Sequence, residues 1–144
     1  MEYFISQSAE QTAELGRKIG AFLLPDEIIG LAGPLGAGKT TLIQGIAEGM
    51  NVKDYLTSPT FILINEYQGR IPLFHIDLYR IEDLSEIEDL GIEEYFSRGG
   101  VCLIEWVERM ELLFPERAEK IEIERISENE RKINFSPNLA FRFA

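Results

Sequence analysis

The sequence has one cysteine, one histidine and one tryptophan among its 144 residues. The single cysteine, Cys102, cannot form an internal disulfide and lies in an apolar run, so we expect a buried thiol in a reducing compartment. No apolar run approaches the roughly 18 residues that a membrane-spanning helix needs. The first residues, M-E-Y-F-I-S, lack the basic flank and the long apolar stretch of a signal peptide. These absences predict a cytoplasmic protein with no membrane partner.

Basic residues are also scarce. The chain carries 14 lysines and arginines against 25 aspartates and glutamates, a net charge of −11. Cationic surface supplies most of the affinity for phosphate backbones, so this balance argues against direct binding of DNA or RNA, although a nucleic acid can still be contacted through a basic partner. Residues 82–124 hold 14 acidic and 4 basic residues. This segment is either a solvated surface or a docking face for a basic partner.

The order of the predicted elements is typical of an α/β domain. About 45% of the residues are apolar, which is enough for one core, and the length fits a single domain over residues 1–144. The apolar patterns predict a helix after a capping motif at 8–11, buried strands at 28–32 and 101–104, a helix over 39–50, acidic helices after a capping motif at 85–88, and a short helix near 108–113. Hairpins are predicted from 61–67 with 71–79, and from 121–124 with 131–135. We therefore predict a single P-loop NTPase-like domain, with a central, mostly parallel sheet flanked by helices and antiparallel hairpin additions.

A glycine-rich turn follows the first buried strand. Its sequence, G-P-L-G-A-G-K-T at 33–40, matches the phosphate-loop pattern G-x-x-x-x-G-K-[ST] at every specified position. Glycines let successive backbone N–H groups converge on a phosphate, and the helix that begins near Lys39 directs the positive end of its dipole to the same anion. Lys39 would bind the β and γ phosphates, and Thr40 would offer its hydroxyl to Mg²⁺. The pattern predicts nucleotide binding by Gly33, Gly36, Ala37, Gly38, Lys39 and Thr40.

The sequence elements of guanine-specific proteins are missing. The nearest approach to N-K-x-D is N-V-K-D at 51–54, which has the wrong internal order and follows the loop helix too soon. The D-x-x-G element is missing as well. ATP is therefore favoured over GTP.

Two carboxylates are candidates for the magnesium site. Each closes a predicted strand, and the strand ends of a parallel sheet gather on the side where the phosphates lie. Glu105 follows the more uniformly apolar strand, which we expect to be central and beside the loop strand, so it is the first candidate. Asp77 would then be free to orient or polarise water for attack on the γ phosphate. The alternative for Asp77 is a surface strand end paired with Arg80.

Three further residues have two interpretations each. Thr60 lies in S-P-T-F at 58–61, where switch segments of nucleotide hydrolases occur. It would either contact Mg²⁺ or the γ phosphate, or simply belong to the start of a strand that follows a proline. His75 is interpreted as a packing residue or a hydrogen-bond strut. Trp106 is either an anchor for a ligand or partner, or a large side chain that covers the core.

Taken together, these segments resemble the TsaE family. G-P-L-G-A-G-K-T-T at 33–41, S-P-T-F at 58–61, H-I-D-L-Y-R at 75–80 and I-E-W at 104–106 occur in the order seen in that family, and the likeness covers roughly residues 8–135. Many members carry an acidic residue after the first glycine of the loop, whereas this chain has Pro34. That position supplies neither lysine nor hydroxyl, so we expect the difference to concern loop stiffness and not binding.

The resemblance implies a Mg²⁺-dependent P-loop ATPase of low intrinsic turnover that acts with two partner proteins, TsaB and TsaD. In that system TsaD transfers a threonylcarbamoyl group to adenosine 37 of tRNAs that read codons beginning with A. The ATPase resets the TsaB–TsaD pair and meets tRNA only through the complex. By position, the resemblance implies that Lys39, Thr40 and Thr41 bind the phosphates and Mg²⁺, and that Glu105 completes the metal site. It also implies that the ATPase centre includes Asp77, Thr60 and Lys39. It further implies an adenine-side segment with Ala9 and Thr12, and places Trp106 and Arg131 at the nucleotide.

Two other classes of protein are compatible with the loop. A small-metabolite or nucleoside kinase would need an acceptor pocket and usually an arginine-bearing lid. Residues 41–97 contain no cluster of arginines, since the two arginines there are Arg70 and Arg80. A nucleotide sensor that binds without turnover is the other class. The presence of Asp77 and Glu105 argues against it.

Overall fold

A computed structural model describes residues 2–34, 36–54, 56, 64–110 and 113–141. For residues 140 and 141 it describes the backbone only. The strands are β1 (Glu2–Ser6), β2 (Ile28–Ala32), β3 (Ile64–Tyr67), β4 (Leu73–Asp77), β5 (Val101–Glu105), β6 (Glu119–Arg125) and β7 (Arg131–Phe135). The helices are α1 (Ala9–Phe22), α2 (Lys39–Gly49), α3 (Leu84–Asp89), α4 (Ile92–Tyr95) and α5 (Pro137–Phe141), with a 3-10 turn at Val107–Arg109.

The strands form one seven-stranded sheet in the order β1-β7-β6-β2-β5-β4-β3. The central strands β6, β2, β5 and β4 pair in parallel, whereas β1 and β7 at one edge and β3 at the other pair antiparallel. This arrangement confirms the predicted α/β class with a mostly parallel centre and antiparallel additions. The terminal hairpin is β6 with β7, and the earlier one is β3 with β4.

Strands β2 and β5 occupy the centre because their side chains suit burial on both faces. All five residues of each strand are buried, and apart from Glu105 none of them is charged. For this reason, the sequences of parallel strands that are covered on both faces are continuous apolar runs. One core lies between the sheet and helices α1 and α2, and the other lies between the opposite face and helices α3 and α4.

Helices α1 and α2 approach each other closely through glycines. A Cβ atom at Gly16 would lie 2.5 Å from the carbonyl oxygen of Leu42, and one at Gly20 would lie against the carbonyl oxygen of Ile46. Glycine is needed here because any larger side chain would push the two backbones apart. The contact holds α2 against the sheet, so the start of α2 and the loop before it have a defined position.

Several predicted boundaries were wrong. The N-cap of α3 is Asp83 and not Ser85, because the Asp83 carboxylate accepts from the backbone N–H of Glu86 while the Glu86 side chain reaches back to the N-cap backbone. At the predicted helix near 108–113 the structure has a 3-10 turn at Val107–Arg109, and residues 111–112 lie outside the described part of the chain. Strand β1 and helix α5 were not predicted. The predicted strand residues 61–63 lie outside the described part of the chain.

The lone cysteine is buried, as predicted. Cys102 is 1% exposed, and burial raises the pKa of its thiol to about 12. Such a thiol stays protonated and unreactive at neutral pH. Among the described residues, no helix is both long enough and apolar enough to cross a membrane.

Candidate functional site

The glycine-rich loop at 33–38 connects the end of β2 to the start of α2. Gly33, Gly36 and Gly38 have φ values of +148°, +77° and +105°, which side chains of L-residues rarely adopt. Between the last two, Ala37 is buried in the core beneath the helix pair. The loop therefore has the backbone conformation that its glycines were predicted to supply, with Ala37 as its anchor.

The first turn of α2 offers backbone donors beside this loop. Leu42 N–H donates to the carbonyl of Gly38 at 3.1 Å, so the N–H groups of Lys39, Thr40 and Thr41 precede the hydrogen bonds of the helix. These donors and the positive end of the helix dipole suit an anion. Thr40 is exposed, and Thr41 is partly exposed beside it.

Lys39 turns its side chain back over the loop. Its Nζ donates to the carbonyl of Gly33 at 2.6 Å and lies 3.6 Å from the centroid of the Trp106 ring. The residue is 6% exposed. Burial lowers the pKa of Lys39, while the negative charges of Glu105, Glu108 and Asp77 oppose that shift. The amine is thus a partly desolvated cation, and a phosphate that reached it would accept a charge-assisted hydrogen bond.

Asp77 and Glu105 lie side by side at the ends of neighbouring strands. They are register partners in the parallel β4–β5 pair, and Glu105 also pairs with Leu31 at the end of β2. Both point to the α1–α2 face, since side chains alternate along a strand and Leu73 and Leu103 belong to the core on that face. The prediction that the Glu105 strand is central and adjacent to the loop strand is confirmed.

The two carboxylates have different environments. Glu105 is buried, and its Oε2 lies 2.7 Å from Nε2 of the buried His75. Asp77 is partly exposed and accepts the backbone N–H of Tyr79 at 3.0 Å. Burial raises the pKa of Asp77, and the neighbouring Glu105 charge adds to that rise. The interpretation of His75 as a hydrogen-bond strut is confirmed.

Trp106 covers the lysine from one side. It follows β5 directly with φ +59°, a left-handed conformation that is uncommon for a tryptophan. Its ring stacks against Lys39 and lies 5.0 Å, centroid to centroid, from the ring of the exposed Tyr79. The indole is partly exposed, so it both covers the core and borders the loop.

A cavity of about 110 Å³ adjoins the other side of the loop. It is lined by Ser8, Ala9, Thr12, Gly38, Thr41, Glu128, Asn129 and Arg131. The predicted residues Ala9, Thr12 and Arg131 are therefore brought together beside Gly38 and Thr41. The turn residues Glu128 and Asn129 were missed, because nothing in a polar hairpin turn reveals which distant element it faces.

Two of these cavity residues already have internal partners. Thr12 is buried, and its hydroxyl lies 2.7 Å from the hydroxyl of Ser6. Arg131 donates through Nη1 to the carbonyls of Ser127, Glu128 and Glu130 in the hairpin turn, at 2.9, 3.2 and 3.0 Å. Thr12 thus forms the floor of the cavity, and Arg131 organises the turn that forms its rim. Thr60 lies outside the described residues, so its predicted role stays a prediction.

The donor groups suit a magnesium ion shared with a ligand. Among the residues that the structure describes, no group of three or more His, Cys, Asp or Glu side chains is arranged to hold a metal. Magnesium is usually bound by one or two carboxylates together with substrate phosphates and water. Glu105, Asp77 and Thr40 offer the hard oxygen donors for such a site, next to backbone donors for phosphate.

These features define a P-loop-like α/β protein, with a glycine-rich loop between a central strand and a helix and with two carboxylates at the adjoining strand ends. The family model for "Threonylcarbamoyl adenosine biosynthesis protein TsaE" matches residues 6–133. The chain belongs to the TsaE family, whose proteins function in tRNA threonylcarbamoyladenosine biosynthesis.

Individual relatives agree with this assignment. The chain is 44% identical to the TsaE protein of Bacillus subtilis over 128 residues, covering 88% of this chain and 80% of the relative. It is 38% identical to the TsaE protein of Treponema pallidum over 129 residues, covering 90% of this chain and 96% of the relative. The crystal structure of Bacillus subtilis YdiB superimposes with a TM-score of 0.80 at 34% identity, covering 99% of this chain and 90% of that one.

Proposed function

We propose that this protein binds ATP with Mg²⁺ in the loop at 33–38 and hydrolyses it. The observation that carries the proposal is the convergence of Lys39, Glu105 and Asp77 on one end of the parallel sheet, at the start of α2. A cation, a buried carboxylate and a half-buried carboxylate around a phosphate-loop sequence are the parts that phosphoryl transfer to water requires.

Each group has a distinct part in this proposal. Lys39 and the N–H groups at the start of α2 bind the phosphates, while Glu105 and the Thr40 hydroxyl hold Mg²⁺. The ion, when bound, neutralises charge on the transferring phosphoryl group. Asp77 accepts a proton from the attacking water, which its raised pKa favours relative to an ordinary aspartate. The cavity at Ala9, Thr12 and Arg131 receives the adenine end of the nucleotide.

We further propose that the ATPase acts on a TsaB–TsaD pair and does not itself transfer the threonylcarbamoyl group to tRNA. The net charge of −11 supports this division, since a protein that held tRNA directly would be expected to carry a basic surface. A protein that reaches tRNA through its partners has no such requirement.

Steady-state ATP hydrolysis, measured for the protein alone and with the TsaB–TsaD pair, tests the proposal. Slow turnover alone and clear stimulation by the pair are expected. ATP binding without turnover in either condition would instead indicate a nucleotide sensor. A screen of phosphate acceptors would detect a kinase. Arg70 does not favour that class, because its guanidinium donates to the carbonyls of Gly20 and Leu23 at the end of α1, at 2.9 and 3.1 Å.

Replacing Glu105 by glutamine is expected to raise the Mg²⁺ concentration needed for half-maximal hydrolysis at least about 10-fold. The substitution removes the charge but keeps the side-chain volume and an oxygen that accepts from His75. Glu108→Gln is the matched control, since Glu108 is an exposed neighbouring carboxylate that acts on Lys39 through its charge. An unchanged Mg²⁺ titration in Glu105→Gln would move the metal carboxylate elsewhere, with Asp77 as the first alternative.

A further inference from the structure

We propose that His75 is a positioning residue that orients the Glu105 carboxylate toward the magnesium ion. The inference rests on the proposed function and concerns how the same site is built. His75 lies on β4 and would touch neither nucleotide nor metal; it acts through its hydrogen bond to Glu105.

The strand register accounts for this contact. His75 is the register partner of Leu103, and Glu105 lies two residues farther along β5. Side chains two residues apart point to the same face of a sheet, so the imidazole reaches along the face to the carboxylate. The two side chains are 3% and 8% exposed, and Nε2 lies 2.7 Å from Oε2. Both are therefore held in place by the packing around them.

The chemistry of the pair assigns the proton. A carboxylate that holds a metal ion is ionised and has no proton to donate, so in the proposed site Nε2 carries the hydrogen that joins it to Oε2. This bond occupies one carboxylate oxygen and orients the other, Oε1, for a metal. Histidine–carboxylate contacts of this kind hold metal ligands in the geometry that the ion requires.

The other ring nitrogen shows that His75 is not explained by packing. Within the described residues, Nδ1 of His75 is the buried side-chain nitrogen or oxygen that has no hydrogen-bond partner. Burying an unpaired polar atom costs free energy that an apolar side chain in this position would avoid. The charge-assisted bond from Nε2 to Glu105 offsets this cost, so the contact to Glu105 is what the imidazole contributes.

Three substitutions separate positioning from packing. His75→Leu keeps an apolar volume and removes the donor. In His75→Gln the amide nitrogen can occupy the place of Nε2 and donate to Glu105, whereas in His75→Asn it can occupy only that of Nδ1. The readout is the binding of ADP by calorimetry, first in EDTA and then over a Mg²⁺ titration, with thermal unfolding of each variant measured in parallel.

We expect His75→Leu to bind ADP in EDTA as the wild type does and to need about 10–100-fold more Mg²⁺ for the tighter binding that the ion confers. His75→Gln should retain most of the Mg²⁺ response and His75→Asn should not. This comparison tests whether His75 positions Glu105 even if the leucine variant does not fold. Added to Glu105→Gln, His75→Leu should cause no further loss of Mg²⁺ response, because both changes act on one contact.

Other outcomes would overturn the inference. A folded His75→Leu with the wild-type Mg²⁺ titration would show that Glu105 needs no support from His75. Equal weakening of ADP binding with and without Mg²⁺, together with a lower Tm, would show a packing role. If ADP binding by the wild type were independent of Mg²⁺, the assignment of Glu105 as a metal ligand would lose its support together with this inference, whereas absence of ATP hydrolysis would overturn the proposed function. A wild type that responds to Mg²⁺ beside an unaffected His75→Leu would overturn this inference alone.

Discussion

Replacing Lys39 by methionine is expected to weaken ATP binding at least about 100-fold. The amine would donate to two phosphates, and each charge-assisted hydrogen bond contributes about 1.5–3 kcal/mol, with about 1.4 kcal/mol per tenfold change in affinity. Methionine fills similar space against the Trp106 ring without the charge. Calorimetric titration with a slowly hydrolysed ATP analogue measures the loss, and Lys53→Ala, which removes an exposed lysine after α2, is the control.

The same substitution should leave the protein as stable as before. Burial lowers the pKa of Lys39, which means that carrying its charge at neutral pH costs free energy in the folded state. Methionine removes that cost, so we expect the Tm to be equal or higher. Retained ATP affinity in Lys39→Met would contradict the assignment of the loop. A fall in both Tm and affinity would mean that the binding loss comes from damage to the fold.

Replacing Asp77 by asparagine is expected to lower the rate of ATP hydrolysis about 10²–10⁴-fold while ATP still binds. Asparagine keeps an oxygen that can accept the Tyr79 backbone N–H, so the strand end is preserved and the proton acceptor is removed. The rate is measured with the TsaB–TsaD pair present, and Asp54→Asn, at an exposed aspartate, is the control. Full hydrolysis in Asp77→Asn would show that the catalytic assignment is wrong.

The pH dependence of the wild type gives an independent check on Asp77. The ionised carboxylate is the active form, and burial raises its pKa above the ordinary value of 3.8. The rate should therefore fall as the pH is lowered through this raised pKa, at a higher pH than an ordinary aspartate would allow. An acid limb at the position of an unperturbed aspartate would contradict Asp77 as the proton acceptor.

The two central strands and the loop between β2 and α2 were predictable because their signals are local. Residues 28–32 form an apolar run, and so do residues 101–105 apart from the final Glu105. Such runs form strands buried on both faces. The glycines of the loop occupy backbone conformations that other residues disfavour. Local pattern also predicted the β6–β7 hairpin and the start of α1 at its serine cap, where the Ser8 side chain accepts from the Gln11 N–H.

The elements that were missed or misplaced depend on distant partners. The apolar residues of strand β1, at positions 3–5, are consecutive and exposed, and the strand forms because β7 offers an edge with which it pairs. The cap of α3 falls on Asp83, whose carboxylate accepts the N–H groups of Ser85 and Glu86 and also the Ser85 hydroxyl, so the helix begins two residues earlier than a cap at Ser85 would allow. Sequence alone could not rank the two candidate caps.

By itself, the sequence determined that this chain carries a phosphate-loop pattern between a buried strand and a helix, with candidate carboxylates at Asp77 and Glu105. Tertiary structure decided how those residues meet. It paired β5 with both β2 and β4, which brings Glu105 beside the loop strand and beside Asp77, and it joined His75 to Glu105 across two strands. It also closed a cavity from the start of α1 and the β6–β7 turn. Residues so far apart in the chain are brought together by strand pairing and core packing, which no local pattern encodes.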